Sequence, residues 1–234
     1  MASNSGDYEN LIVDFRDTIA TITINRPDVL NALNAETTRE LGEAVDFLAA
    51  DDRFHVLIIT GAGEQAFVAG ADISVLATCD PVGAREVARF GQATFDKIEE
   101  CGKPVIAAIN GYALGGGFEL ALACHIRFAA EGAQIGLPEI NLGVIPGHGG
   151  TQRLTRLLGK GAAIELICSG AHVNATDAVS LGLVNAVHPA DSLMEAVYEF
   201  AEKLASKPRI AMRYVLEAVN QGLNVTLKEG QAIE

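Results

Sequence analysis

Two short apolar runs on either side of a helical pattern constrain the fold of this chain most. The runs HVLIIT (55–60) and PVIAAIN (104–110) are each followed by a glycine, which is typical of buried strands. Between them, REVARFGQATFDKIEE (85–100) has apolar residues at helical spacing. Strands that alternate with helices predict parallel strands with helical crossovers, so we expect an α/β fold.

The N-terminal segment predicts a hairpin followed by a helix. LIVDFRDTIATITINRP (11–27) alternates apolar and polar residues and is rich in β-branched side chains, with Arg16 and Asp17 at the expected turn. Asn34 is a good N-cap residue, and the residues after it have apolar side chains at helical spacing. We therefore expect two antiparallel strands and then a helix.

The C-terminal part of the chain predicts mainly helices. Helical patterns cover 151–170, 175–183, 192–206 and 208–222. We expect a core over residues 1–190 and a C-terminal helical region over 191–234. Thr226 and Glu229 have the spacing of a capping box, yet the sequence ends at Glu234. We therefore expect the natural protein to continue beyond this point.

Composition and charge restrict the function. The chain of 234 residues is 49% apolar, which is enough for the core of one large domain. Its formal net charge is −13 and it has no Lys/Arg-rich run, which disfavours nucleic acids and anionic membranes as partners. The sequence has neither a signal-peptide pattern nor an apolar run of about 18 residues. We expect a soluble, cytoplasmic protein.

Several common catalytic and metal-binding motifs are absent from the sequence. GAGEQA (61–66) imitates a dinucleotide-binding fingerprint, but the residues after it lack a helical pattern. There is no G-x-S-x-G elbow and no phosphate-binding P-loop. The five histidines and four cysteines show no metal-ligand spacing, so we expect neither a metal site nor a disulfide framework.

Three glycine-containing loops remain as candidates for chemistry: FVAGADI (67–73), GYALGGGFE (111–119) and IGLPEINLGVIPGHGG (135–150). In the second loop, the glycines 115–117 leave the first N–H groups of the next helix unshielded. Such groups suit an oxygen that gains negative charge.

Glu119 and Glu139 each lie where a helix is expected to begin. Taken alone, either carboxylate is equally well explained by favourable pairing with the helix dipole. The neighbours of Glu119 are apolar, however, so burial would raise the pKa of this carboxyl while the helix start would lower it. Two carboxyls in such opposed environments can divide acid and base roles between them.

Four motifs together resemble the enoyl-CoA hydratase (crotonase) family from about Leu11 onward. They are NRPDVLNAL (25–33), AFVAGADI (66–73), KPVIAAINGYALGGGFELALACHIRFA (103–129) and LPEINLGVIPGHGGTQRL (137–154). The resemblance implies a spiral of ββα repeats with a C-terminal helical region. That region forms trimers in the family, and these usually pair into hexamers.

The resemblance also implies the site residues. The backbone N–H groups of Ala71 and Gly116 would form an oxyanion hole, and Glu119 and Glu139 would be the two hydratase glutamates. Water would add syn across a trans-2-enoyl-CoA double bond, with Glu119 mainly the base toward water and Glu139 mainly the acid toward C2. No cofactor is implied, because coenzyme A is part of the substrate. The expected substrate and CoA contacts are Arg26, Val29, Ala32, Ala69, Gly70, Asp72, Ile73, Gly115, Pro138 and Gly147.

Other activities of the same superfamily need different residues. Isomerases keep the oxyanion hole and lack the first glutamate, whereas dehalogenases and decarboxylases replace one or both glutamates. One branch of the family binds RNA, which the charge of −13 disfavours here. Many relatives have lysine where this chain has Asp28, so one local phosphate contact is in doubt. The pair of glutamates favours hydration; the acyl length and the pathway stay open.

Overall fold

The computed structural model describes residues 8–71 and 80–234. Ten strands lie in these ranges: β1 Leu11–Arg16, β2 Ile19–Ile24, β3 Val56–Gly61, β4 Ala66–Val68, β5 Val105–Ile109, β6 Tyr112–Leu114, β7 Ile126–Ala130, β8 Gln134–Gly136, β9 Val173–Asn174 and β10 Ala186–His188. Nine α-helices lie there as well: α1 Ala35–Ala50, α2 Pro81–Glu100, α3 Gly116–Ala123, α4 Gly150–Leu158, α5 Lys160–Ser169, α6 Ala175–Leu181, α7 Leu193–Ala205, α8 Arg209–Gly222 and α9 Leu227–Ile233. Two short 3₁₀ helices cover Pro27–Val29 and Pro138–Leu142.

The strands form two sheets. The larger has the order β1-β2-β3-β5-β7-β10 and the smaller has the order β4-β6-β8-β9. In the large sheet only β1 and β2 pair antiparallel, and the other neighbours are parallel. The predicted hairpin and the predicted parallel sheet are therefore both confirmed.

Successive pairs of strands build the spiral. The pairs β3 and β4, β5 and β6, and β7 and β8 each add one strand to the large sheet and the next strand to the small sheet. Helices α2 and α3 and the second 3₁₀ helix follow these pairs in turn. The predicted α/β spiral of ββα repeats is confirmed, and the described parts of the three glycine-containing loops follow the small-sheet strands β4, β6 and β8.

Both faces of the central strands β3 and β5 of the large sheet are buried, as a near-continuous apolar sequence in parallel strands requires. On one face, Leu57 and Ile59 belong to the cluster that α1, α2 and α3 cover. On the other face, Val56 and Ile58 pack with Val197 and other residues of α7. Helix α7 thus completes the core beside the sheet, and the boundary expected near residue 191 stays a prediction.

Local details differ from the sequence analysis at two places, and a third agrees with it. The pattern over 151–170 is two helices, because Gly159 takes φ 80° and ψ 166° between α4 and α5. The short strands β9 and β10 lie in a region that we expected to be helical. At the chain end, Thr226 and Glu229 do form a capping box. In the described part of the chain, none of the helices combines the length and apolar character needed to cross a lipid bilayer.

Candidate active site

The three glycines at the start of α3, its N-cap and first two residues, are needed for three different reasons. Gly115 has φ 51° and ψ −126°, a conformation that only glycine adopts readily. A Cβ atom on Gly117 would lie 1.9 Å from the carbonyl oxygen of Val68, so this helix start packs directly on β4. A Cβ atom on Gly116 would lie 3.3 Å from the amide nitrogen of Ala71. The middle glycine therefore keeps the space beside that amide open.

The amides of Ala71 and Gly116 are both available to a ligand. The chain next to Ala71 is fixed by a bridge to Leu33, in which the N–H of Leu33 donates to the carbonyl of Gly70 at 2.9 Å. Gly116 is the first residue of α3, where N–H groups lack intrahelical acceptors. Within residues 8–71 and 80–234, neither of these two N–H groups has a hydrogen-bond acceptor. The pair of amides predicted as an oxyanion hole thus lies together, and its role stays a prediction.

Glu119 is held in place by backbone amides from a distant loop. Its side chain is 2% exposed, and its Oε1 accepts hydrogen bonds from the N–H groups of His148 at 2.8 Å and Gly150 at 2.7 Å. A Cβ atom on Gly150 would lie 2.9 Å from that same oxygen. Gly150 therefore lets the start of α4 approach the carboxylate closely.

Burial dominates the protonation of Glu119. The pKa of this carboxyl is raised to about 7, mainly by loss of hydration, and the charge of Glu139 acts in the same direction. The amides of Gly150 and His148, together with the charge of Arg153, act in the opposite direction. A carboxyl with a pKa near neutrality can take up or release a proton during turnover.

Glu139 lies on the other side of the glycine loop. A Cβ atom on Gly115 would lie 3.2 Å from Oε1 of Glu139. Its Oε2 is buried and has no hydrogen-bond partner among the described residues. Burial raises the pKa of the Glu139 carboxyl as well. The charge of Glu139 raises the pKa of Glu119, so the two carboxyls are close enough to interact. Among the described residues, each has an oxygen without a hydrogen-bond partner, Oε2 in both cases.

The two loops expected to contact CoA lie side by side. The N–H of Ala69 donates to the carbonyl of Leu30 at 3.0 Å, and the bridge between Leu33 and Ala71 continues the contact. Val29 is 47% exposed beside them. Arg26 donates through its guanidinium to the carbonyl of Ala32. Asp72 and Ile73 lie outside the described residues.

The remaining predicted contacts border the same region. The N–H of Gly115 donates to the carbonyl of Gly136 at 2.9 Å, which ties the glycine loop to β8. Pro138 begins the short helix that carries Glu139. Gly147 lies in the loop before α4 and accepts a hydrogen bond from the side chain of Gln92 at 2.8 Å.

Sequence analysis missed one residue that shapes the first loop. Asn31 is buried with φ 59°, a left-handed conformation that asparagine tolerates better than most residues. Its Nδ2 donates to the carbonyls of Ala62 and Ala66, and its Oδ1 accepts from the N–H of Arg26. An asparagine after the 3₁₀ segment is the signal that could have indicated this turn. In the described ranges, no three His, Cys, Asp or Glu side chains form a group that could hold a metal ion.

Comparisons with known proteins agree with this geometry. The sequence profile described as enoyl-CoA hydratase/isomerase matches residues 14–234. A crotonyl-CoA hydratase of Syntrophomonas wolfei is 44% identical over 227 residues, which are 97% of this chain and 87% of the relative. A short-chain-enoyl-CoA hydratase of Clostridium acetobutylicum is 41% identical, with the same two shares covered. The crystal structure of an enoyl-CoA hydratase from Bacillus anthracis superposes with a TM-score of 0.93 at 42% identity and covers 96% of this chain and 88% of its own. The chain therefore belongs to the enoyl-CoA hydratase/isomerase family.

Proposed function

We propose that this protein is an enoyl-CoA hydratase, which adds water syn across a trans-2-enoyl-CoA and produces a 3-hydroxyacyl-CoA. One observation carries the proposal: the carboxyls of Glu119 and Glu139 share a buried site beside the amides of Ala71 and Gly116. Hydration needs both a base for water and an acid for carbon, and it needs a binding site for the thioester oxygen. This arrangement could supply all three.

The two amides would act on the thioester oxygen. As water attacks C3, electron density moves to this oxygen and gives it enolate character. N–H groups that are already fixed near it stabilise the transition state more than the ground state. The substrate carbonyl would therefore lie over Gly116, in the space where a side chain at this position would project.

The two carboxyls would hold the attacking water. Oε1 of Glu119 already accepts two amide hydrogen bonds, which leaves Oε2 for the water. Oε2 of Glu139, which is buried and unpartnered among the described residues, offers a second acceptor. We propose that Glu119 takes the proton of the water while its oxygen bonds to C3, and that Glu139 delivers a proton to C2.

The pair must hold one proton for this cycle. In the free protein, burial raises the pKa of Glu119 to about 7 and the charge of Glu139 acts in the same direction, so we place the last proton of the pair on Glu119. The proposed roles require that proton on Glu139 when C2 is protonated. We propose that the water shared by the two carboxyls transfers it from Glu119 to Glu139 after the substrate binds.

Coenzyme A would bind along the two adjacent loops. The candidate contacts on these loops are Arg26, Val29, Ala32, Ala69 and Gly70, joined by Asp72 and Ile73 from outside the described residues. Gly115, Pro138 and Gly147 would line the acyl part of the site. Most of these contacts would use backbone groups. Backbone N–H groups can bind an anionic ligand even in a protein whose net charge is −13. We propose no further cofactor and no metal.

We also propose a homo-oligomer, a trimer or a pair of trimers, with residues 191–234 as the assembly region. Helix α8 supports this proposal because it exposes an apolar face, and large exposed apolar patches mark interaction surfaces. The side chains of this face are Ile210, Tyr214, Val215, Val219 and Leu223, each more than half exposed. A cytoplasmic location and the absence of a nucleic-acid partner are proposals that rest on the sequence alone. Light scattering on the purified protein gives the subunit number.

An absorbance assay tests the proposed activity. The conjugated thioester of a trans-2-enoyl-CoA loses its ultraviolet absorbance when water adds to the double bond. We expect the purified protein to remove this absorbance over a series of acyl lengths, with 3-hydroxyacyl-CoA as the product. Glu165→Gln, a change at an exposed carboxylate on α5, is the matched control for loss of a glutamate and should leave the rate unchanged. Migration of the double bond without hydration would show an isomerase instead.

A further inference from the structure

Two amides of the loop Gly147–Gly150 donate hydrogen bonds to the carboxylate of Glu119. The contacts that hold this loop in place therefore hold the carboxylate as well. Arg153, one turn into α4, reaches back over the loop and donates from Nη1 to the carbonyl of His148 at 3.1 Å. A Cβ atom on Gly149 would lie 2.4 Å from the same Nη1. The glycine therefore leaves the space through which the guanidinium reaches the loop.

Arg153 is itself anchored to helix α2. Its Nε donates to Oε2 of Glu99 at 2.9 Å, and its Nη2 donates to Oδ1 of Asp96 at 2.6 Å. The side chain of Arg153 is 11% exposed, whereas those of Asp96 and Glu99 are 55% and 36% exposed, so solvent reaches these charged hydrogen bonds from the carboxylate side. The guanidinium uses its planar set of donors to join α2, α4 and the loop at one point.

Two further contacts hold the loop against α2. Gln92 donates to the carbonyl of Gly147 at 2.8 Å. The ring of His148 packs edge-on against Phe95, and a Cβ atom on Gly91 would lie 2.4 Å from it. Burial lowers the pKa of the His148 imidazole, so this ring is neutral in its apolar contact. Arg153 thus remains the charged link between the loop and α2.

We propose that Arg153 is a positioning residue for the hydration reaction, which holds the loop Gly147–Gly150 so that its amides stay on Oε1 of Glu119. The inference rests on the proposed function. Arg153 acts through the backbone of His148 and Gly150 and has no contact with the reacting atoms in this account. Arg153→Lys keeps the positive charge and loses the planar set of donors, so a changed Glu119 titration in that variant reports on the loop and not on the charge.

Removal of the guanidinium affects the pKa of Glu119 in two ways, and both raise it. The positive charge of Arg153 lowers the pKa of the Glu119 carboxyl, and the amides of His148 and Gly150 lower it as well. The charges that face the carboxyl are Glu139 and Arg153, with the neutral His148 beside them. When Arg153 is replaced, the pKa of Glu119 rises above its present value of about 7.

The experiment compares Arg153→Gln and Arg153→Lys with Arg156→Gln. Arg156 lies on the exposed side of the same helix and bonds to Gln152 and Asn224, so it is a matched control. We expect kcat to fall by about 10- to 100-fold in Arg153→Gln, by less in Arg153→Lys, and not at all in Arg156→Gln. The KM for the enoyl-CoA stays close to wild type, and the alkaline limb of the pH profile moves to higher pH.

Carbon-13 NMR of the glutamate carboxyls, with Glu119→Gln to assign the signal, follows the titration of Glu119 without any turnover. If wild type shows no hydration, the proposed function fails, while a raised Glu119 pKa in Arg153→Lys, which keeps the positive charge, still supports the inference that Arg153 holds the loop amides on Glu119. Should Arg153→Gln fail to fold, the Glu119 titration in Arg153→Lys decides the inference. An unchanged Glu119 titration in the folded variants overturns the inference.

Discussion

A Cβ atom on Gly116 would lie 3.3 Å from the amide nitrogen of Ala71, close enough to fill the space in front of that amide. The neighbouring Gly117 has a different constraint, since its Cβ atom would lie 1.9 Å from the carbonyl oxygen of Val68. Gly116 is therefore needed to keep the candidate site open, whereas the adjacent Gly117 is needed for the fold.

Gly116→Ala and Gly117→Ala should fail in different ways. The methyl group at 116 fits the fold but occupies the proposed oxyanion site, so we expect kcat to fall about 10²- to 10³-fold with little change in melting temperature. The methyl group at 117 would clash with the backbone of Val68. We therefore expect Gly117→Ala to lower the free energy of unfolding by at least about 1–3 kcal/mol. Thermal denaturation and the hydration assay together distinguish the two. Full activity in a folded Gly116→Ala protein would rule out the oxyanion role.

The hydration rate should show a bell-shaped dependence on pH. At low pH both carboxyls are protonated and no base is present, and burial moves this limb above the ordinary range of glutamate. Above a pH of about 7, the value at which Glu119 titrates, the pair loses its last proton and C2 has no acid. Initial rates measured at constant ionic strength give both limbs. A rate that keeps rising well above neutral pH would contradict the assignment.

Protein stability should show the same titration with a defined sign. The pKa of Glu119 is raised from 4.5 to about 7, so the folded state binds more protons than the unfolded state between these values. The free energy of unfolding therefore falls as the pH rises through this window. Glu119→Gln cannot titrate, so its stability relative to wild type should increase by roughly 1–3 kcal/mol between about pH 5 and about pH 8. Denaturant unfolding at several pH values measures it, and a difference that does not vary with pH would contradict the raised pKa.

Exchange at C2 separates the roles of the two carboxyls. A saturated acyl-CoA has no double bond to hydrate, yet its C2 proton can exchange with deuterium oxide through the same enolate. We expect Glu139→Gln to lose this exchange and Glu119→Gln to retain most of it, because only Glu139 is proposed to act at C2. Proton NMR of the recovered thioester measures the exchange. Loss of exchange in Glu119→Gln with retention in Glu139→Gln would show that Glu119, and not Glu139, acts at C2.

The sequence could predict the alternation of strands and helices because it is a local property of the chain. The apolar runs before Gly61 and Gly111 are indeed the parallel strands β3 and β5. The spiral came from the family resemblance instead, since periodicity does not tell which strand joins which sheet. The break at Gly159 was missed because one glycine inside a helical pattern is often tolerated.

The candidate site was predictable where its residues belong to motifs, and less so where they act through the backbone. Glu119, Glu139 and the glycines were visible as unusual residues in the sequence. The amides of His148 and Gly150 were not, because a backbone donor leaves no mark on the sequence and the partners are 29 and 31 residues apart. Arg153 was missed for a related reason, as its role depends on carboxylates of α2 that are 54 and 57 residues away.

A double-mutant comparison of Glu119→Gln, Glu139→Gln and the combined variant tests most directly whether the two carboxyls act on one water molecule. Each single change should lower kcat for hydration by about 10²- to 10⁴-fold, with little change in the affinity for a saturated acyl-CoA. Groups that act as one unit are not additive, so the combined variant should be no slower than the slower single variant. Rate losses that simply multiply, or a single variant with near wild-type turnover, would contradict the account.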